Sequence, residues 1–482
     1  MPLEAIIIGA GFAGVGMAIS LKRAGVCDFV LLERAPDSGG VWRDNTYPGA
    51  ACDVPSHLYS YSFEPNPDWT RMFAPQAEIH AYLGHCVTKY GVLEHIRFDA
   101  EVAEAVWDEA ARLWRVRLAG GEVLESRLLI SAVGQLSRPL MPLVAGLERV
   151  EVPAFHSARW DHSVAVDDRD VAVIGTGASA IQFVPAIAGR VRSLKLFQRS
   201  AAYVIPRPDR AYTDAERARF RKRPWLMKLH RLGIYVRYEF RALAFTRLNW
   251  LLDVLIAKPF RKLLAAEIAD PVLRAKLVPD YPAGCKRILL SSEYLSTLSQ
   301  PNVELVTSPI RELTAAGVTT EDGAHYAADV LIYGTGFAAT EFLAPMRIVG
   351  RNGLALNDAW RDGASAYFGL AVPEFPNFFI IYGPNTNLGH NSIIYMLEAQ
   401  IAHVMRCVGR MRRCGADMVE IGRDAHARHD AHIQERLAAT VWAGCKSWYL
   451  DASGRNTTNW PGFTLTYRLL ALHAGLEVYR FT

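Results

Sequence analysis

A chain of 482 residues is too long for one hydrophobic core and divides into two or three compact units. With 51% hydrophobic and 21% charged residues it is not a disordered polymer, and apolar stretches such as Ile6–Ile8 and Val254–Ala257 fall far short of the roughly 18 residues of a bilayer span. The net charge of +4 is uneven: Arg207–Lys276 holds 17 Lys/Arg against 7 Asp/Glu, so the rest of the chain is acidic.

The chain opens on AIIIGAGFAGVGMAISLKRAG, read as a short buried strand, a glycine turn and a helix ending at Gly25, followed by the strand FVLLE. Gly9, Gly11 and Gly14 form G-x-G-x-x-G between strand and helix, and Glu33 closes the next strand nineteen residues after Gly14. Small residues let backbone approach a pyrophosphate, the helix start offers free N–H groups, and the carboxylate accepts ribose hydroxyls. MPLEAIIIGAG has no basic start and no small-residue cleavage site, so export is not expected.

The pattern returns at DVAVIGTGASAIQFVPAIAGR, with Gly175, Gly177 and Ala180 in the turn, and SLKLFQRS as the following strand. No carboxylate stands at its end. Gln198, Arg199 and Ser200 occupy that place, and a guanidinium with a hydroxyl suits a ribose 2′-phosphate, which favours NADPH over NADH. Residues Thr213–Lys276 have helical apolar spacing, with Leu229, Leu232, Val236, Phe240 and Leu243 near one face. Beyond them, ADVLIYGTGF and FPNFFIIYGPNTNLGHNS suggest a return to the first fold, and the turn ending in Asn391 and Ser392 leads into a helix whose N-terminal amides suit an anionic ring edge. Capping of that helix by Asn391 or Ser392 is a compatible reading.

These elements predict an α/β protein: two Rossmann-like dinucleotide-binding domains with a helical insertion in the second. The boundaries read as residues 1–145 and 336–482 for the first domain, 146–210 and 281–335 for the second, and 211–280 for the insertion. Seven cysteines with no C-x-x-C pair point to a reducing cytoplasm, and away from structural zinc or a dithiol relay. The fourteen histidines include no H-E-x-x-H or similar ligand cluster, so no metal is expected.

GGVWRDNTYPGAACD carries Gly39, Gly40, Trp42, Tyr47, Pro48, Gly49 and Asp53. It resembles the type I Baeyer–Villiger monooxygenases at every specified position of [AG]-G-x-W-x4-[FY]-P-[GM]-x3-D. The family's second fingerprint, F-x-G-x3-H-x3-W-[PD], is met by His156, Trp160 and Asp161, while Val150 and Val152 replace its phenylalanine and glycine. The resemblance implies FAD in the first domain and NADPH in the second, with His156 and Trp160 coupling the two. From GCKRILLSSEYL it implies Lys286 as a 2′-phosphate ligand and Arg287 as the catalytic arginine, held by Asp53. From CKSWYL it implies Trp448 as a mobile-loop contact to nucleotide and substrate.

The activity so implied is oxygen insertion beside a ketone carbonyl, through a flavin C4a-peroxide that a fixed cation keeps anionic. O2 and a small ketone would be the partners, with aliphatic or aryl-alkyl ketones suggested by the short apolar insertion. A flavin monooxygenase oxidising sulfur or nitrogen would share both glycine turns without needing Arg287, and an uncoupled NADPH oxidase would share them too. A reading of another class is a flavin protein docked on an anionic membrane through the basic segment and its Trp225, Tyr235, Tyr238 and Trp250; helices of this composition more often pack on their own domain. Nothing beyond charge points to nucleic acid.

Overall fold

The computed structural model describes residues 1–482. Two twisted sheets form its scaffold, each grown from one of the glycine-bearing strands. In the first, Leu3–Ile8 pairs in parallel with Phe29–Leu32 on one side and Val123–Ser131 on the other. Its order runs Arg347–Val349, Val102–Asp108, Leu113–Leu118, Val123–Ser131, Leu3–Ile8, Phe29–Leu32 and Ile96–Arg97, with Phe378–Ile380 added beside Val123–Ser131. The second sheet has five parallel strands in the order Val303–Val306, Ser193–Phe197, Asp170–Ile174, Val330–Tyr333 and Ala154–His156. Ala5, Ile6 and Ile7 in one sheet and Val171, Ala172 and Val173 in the other are buried. Strands covered on both faces need apolar runs rather than alternation, which is why III and VAV read as they do.

Close approach of backbones explains the glycines that matter. A Cβ on Gly14 would lie 1.9 Å from the carbonyl oxygen of Gly9, because the helix Phe12–Arg23 starts directly above the turn. Gly175 has φ +109°, and a Cβ there would lie 2.4 Å from the carbonyl oxygen of Gly334. Neither position accepts a side chain without moving main chain.

Two expectations need correction. The strand Val330–Tyr333 does not return to the first fold; it lies inside the second sheet, and Phe378–Ile380 and Arg347–Val349 make the return. Both Val330–Tyr333 and Phe378–Ile380 are short apolar strands ending near glycine, and pattern alone cannot assign them to a sheet. Next, Cys285 and Cys445 are joined in a disulfide across 160 residues of chain, with Cα atoms 6.1 Å apart, so the chain is not wholly reduced. No local motif announces a pair that only the tertiary fold brings together.

For the basic segment the structure decides a point that the periodicity leaves open. The segment is helical as expected, with helices Asp214–Lys222, Pro224–Glu239, Arg241–Thr246, Lys258–Glu267 and Pro271–Lys276, and a capping box formed by Thr213 and Glu216. Yet Pro224–Glu239 buries Met227, Ile234, Tyr238 and Glu239, and turns Leu229, Leu232 and Val236 outward, with Phe240 just beyond its end. Apolar periodicity marks a face without saying what that face meets. No helix is long and apolar enough to cross a membrane.

Candidate active site

A cavity of about 420 Å³ opens between the two sheets. Gly9, Gly11, Glu33 and Gly40 line it from the first unit, Ser179 and Gln182 from the start of the second glycine helix, and Trp42, Asp53, Arg287 and Asn391 complete its wall. Gly14 lies beneath the first turn rather than in the wall, as its contact with Gly9 requires. At the base, an ideal Cβ on Gly11 would lie 3.7 Å from the Gly40 Cα, so two bare backbones border the space. This is the cradle a pyrophosphate needs. Glu33 is buried, and its carboxylate accepts from the Ala10 amide at 2.8 Å and the Arg43 guanidinium at 3.1 Å, which aims it at the turn.

Arg287 and Asp53 meet inside the cavity. The Arg287 Nε donates to Asp53 Oδ2 at 3.0 Å, and Nη2 donates to the same oxygen. Side-chain exposures of 31% and 26% leave the pair reachable from the cavity. The Asp53 charge raises the Arg287 pKa further above its already high value, so the guanidinium is a permanent cation. Two tyrosines absent from the sequence-derived set stand near it. Burial raises both, Tyr449 to about 12, with the Arg287 charge opposing the shift. The other, Tyr382, donates to Asn387 Oδ1 at 2.8 Å. Trp42 donates to the Tyr59 hydroxyl at 3.0 Å, which fixes its ring beside the cavity.

The second cluster lies outside this cavity. Lys286 Nζ donates to Ser200 Oγ at 3.3 Å and sits 4.3 Å from the centre of the Tyr281 ring. Burial lowers its pKa, and the neighbouring Arg199 charge adds to the effect. Arg199 is exposed and makes no ion pair, so its guanidinium is free beside the Lys286–Ser200 pair. Gln198 differs: it is buried, and its amide is committed to the Lys276 carbonyl at 2.7 Å.

Coupling of the two units runs through a residue that the sequence reading passed over. Gln182, five residues beyond Gly177, accepts from the Tyr47 hydroxyl at 3.0 Å and the Ala51 amide at 3.3 Å and donates to the Ala51 carbonyl at 3.0 Å. Gly49, at φ +79°, lets the Tyr47–Asp53 turn lie flat on that helix, since a Cβ would be 2.9 Å from the Gln182 carbonyl oxygen. The only sequence signal was position on the second glycine helix. Trp160 packs edge-on against Phe155 and Phe183, and Tyr47 meets Phe183 from the other side. His156 ends a strand of the second sheet and accepts from the Ala158 amide at 3.1 Å; burial lowers its pKa to about 4.

At the far wall, Asn391 donates to Glu239 Oε2 at 2.7 Å and accepts from the Ser392 amide. Ser392 holds the N-cap position of the helix Ile393–Cys414 without a side-chain capping bond, and its buried hydroxyl has no partner. The expected cap is therefore absent, and the helix start is unsatisfied near the cavity that Ile393 helps to line. Trp448 is 36% exposed and stacks at a tilt on Tyr449; it stands outside the cavity, three residues from Cys445.

Residues 7–75 match the NAD(P)-binding Rossmann-like domain family. Over 99% of this chain and 91% of the relative, the sequence is 44% identical to a Baeyer–Villiger monooxygenase of Pseudomonas aeruginosa. An oxidized steroid monooxygenase bound to NADP superposes with a TM-score of 0.88 at 32% identity, covering 100% of this chain and 99% of that one. OTEMO in complex with FAD and NADP does so at 0.89 and 28%, with the same coverage. With near-complete coverage of the relative at this identity, and Gly39, Gly40, Trp42, Tyr47 and Asp53 of the first signature drawn together around one cavity, the chain belongs to the Baeyer–Villiger monooxygenase family.

Proposed function

We propose that this protein is an FAD- and NADPH-dependent monooxygenase that inserts one atom of O2 beside a ketone carbonyl to give an ester or lactone. The observation that carries the reading is the Arg287–Asp53 pair, set in the wall of a cavity lined by the first glycine turn and by Ala178, Ser179 and Gln182 at the start of the second glycine helix. FAD, reduced by NADPH, would supply the activated oxygen. The first glycine turn with Gly40 would hold its pyrophosphate, and Glu33 its ribose, once that carboxylate releases part of its present bonding. The free start of Ile393–Cys414 next to Asn391 offers N–H groups to negative charge on the ring edge.

Within this reading Gly175, Gly177 and Ala180 receive the NADPH pyrophosphate, and Arg199, Ser200 and Lys286 bind its 2′-phosphate. Gln198 contributes shape rather than charge. His156, Trp160 and Gln182 hold the two units in register, and Trp448 closes over nucleotide when its loop turns inward. The units themselves are taken as residues 1–145 with 336–482, and 146–210 with 281–335, with 211–280 inserted. Their cofactor demand fits a cytoplasmic location, although the Cys285–Cys445 pair is unusual there.

The Arg287 guanidinium stabilises the negative charge that develops during oxygen transfer, and Asp53 fixes its plane and limits its net charge. No proton needs to leave Arg287, since its pKa is pushed upward. Sulfur or nitrogen oxidation would leave this pair without a task. Incubating the FAD-loaded protein with NADPH, O2 and parallel panels of aliphatic ketones, aryl-alkyl ketones and sulfides tests the proposal by product mass. Esters from at least one ketone support it; sulfoxides with no ester from any ketone would replace it.

A further inference from the structure

The helix Pro224–Glu239 and the turns after it expose more large apolar side chains than any other part of the chain. Trp225, Leu229, Leu232, Val236 and Phe240 are 57%, 55%, 53%, 41% and 64% exposed. At about 100° per residue they fall within an arc of about 80°, so they form one stripe along one side of the helix. The inner side of the same helix is fully engaged: Tyr238 is buried, and Glu239 accepts from Asn391, Thr464 and the Leu465 amide. That last bond places Leu465, itself exposed, beside the Phe240 end of the stripe. Leu248, Trp250, Val254 and Leu255 continue the exposure along the chain.

Charge frames the stripe. Residues 219–258 carry nine exposed Lys/Arg and one exposed acid, Asp253, while their other acid, Glu239, is buried. Only Arg221 and Lys258 of the nine are in ion pairs. Lys222, Arg223, Lys228, Arg237 and Arg247 therefore project unpaired around an apolar strip that bears exposed tryptophan. A monomer rarely leaves an apolar surface of this extent without a partner.

We propose that this face docks the protein on an anionic phospholipid surface, with the stripe sunk among the acyl chains near the headgroups and the flanking cations on lipid phosphates. An outward apolar face, basic flanks and tryptophan are the features of an interfacial helix. Charge complementarity selects lipid over a second copy of the chain, because a two-fold contact through this face would set the same unpaired cations against one another. The remainder of the chain sums to a net negative charge, so the excess positive charge is concentrated in the segment that carries the stripe. The docking needs no assumption about the reaction catalysed.

The test uses the FAD-loaded full chain and extruded vesicles of phosphatidylcholine, with or without phosphatidylglycerol, in co-sedimentation at low and at high salt. The expected result is sedimentation with phosphatidylglycerol vesicles at low salt, release at high salt, and little binding to phosphatidylcholine alone. Replacing the stripe by Leu229→Gln, Leu232→Gln and Phe240→Gln, or reversing charge by Arg223→Glu, Lys228→Glu and Arg237→Glu, should each weaken binding on the order of a hundredfold. Unchanged FAD content and melting temperature would show that both variants are folded. The proposal is overturned if the parent protein stays in the supernatant at low salt, or if the stripe variant sediments like the parent. It is likewise overturned if sedimentation velocity shows a dimer that the stripe substitutions convert to monomer while vesicle binding is absent.

Discussion

Replacing Arg287 by alanine removes one side of an isolated pair and should separate the two halves of the catalytic cycle. Asp53 has no other ion-pair partner, and both of its guanidinium bonds end on one oxygen. The loss therefore has two parts. Removing a preorganised cation from developing negative charge costs about 3–4 kcal/mol, or two to three decades in rate, by analogy with oxyanion-hole donors. The bared Asp53 carboxylate then adds repulsion of about 1–2 kcal/mol at an effective dielectric of about 20. Arg287→Ala should keep FAD and still oxidise NADPH, while ester per NADPH falls at least a hundredfold and hydrogen peroxide becomes the main oxygen product.

Adding Asp53→Asn to that variant removes the second part and should recover roughly tenfold. Arg287→Lys should recover little, since a point charge cannot occupy the planar position that Asp53 sets. NADPH oxidation followed by absorbance, ester by gas chromatography and hydrogen peroxide by a coupled peroxidase give the three quantities. Near-normal ester per NADPH in Arg287→Ala would refute the role given to this arginine.

Arg199→Ala and Lys286→Ala should each raise KM for NADPH on the order of tenfold and leave KM for NADH nearly unchanged, which steady-state kinetics with both nucleotides will read. Gln182→Leu leaves Tyr47 and Ala51 without their partners; a loss of about 1–3 kcal/mol is expected in urea unfolding, together with slower anaerobic reduction of FAD by NADPH. Burial holds His57 neutral, with its pKa lowered to about 3, and likewise His156, His390, His403 and His429, each lowered to about 4. Because these folded-state values lie below the unfolded value near 6.5, the stability is present above that pH and is lost as pH falls toward 4. About 2 kcal/mol per histidine should be gone by about pH 5, and His403→Gln should flatten the dependence in unfolding measurements. Alkylation of the unfolded, unreduced protein should add five adducts, for the five free cysteines, and seven after reduction.

Both nucleotide turns were legible because their constraints are local. Gly14 answers to the Gly9 carbonyl within one strand–turn–helix unit, and Gly9 and Gly175 carry the positive φ of the turn itself, although a Cβ on either would also meet backbone from a neighbouring strand, at Ala132 and Gly334. The meeting of Asp53 with Arg287 crosses 234 residues, and only family resemblance pointed to it. Gln182 escaped notice because a glutamine on a helix has no preferred task until the Tyr47–Ala51 turn lands on it. The disulfide is invisible for the same reason. For Leu229 to Phe240 the period is legible and the direction of the stripe is not, since a 3.6-residue repeat describes a face suited to a core or to an outside partner alike. Ser392 shows the reverse case: the residue type suits a cap, yet its hydroxyl makes no such bond in the fold.

Oxygen insertion itself is tested most directly with isotopically labelled O2. Turnover of a simple ketone by the FAD-loaded protein with NADPH in a labelled atmosphere should give an ester with one labelled atom, located in the new C–O–C link rather than in the carbonyl. Ester lacking the label, or NADPH consumption that yields only labelled hydrogen peroxide with every ketone supplied, would contradict the account.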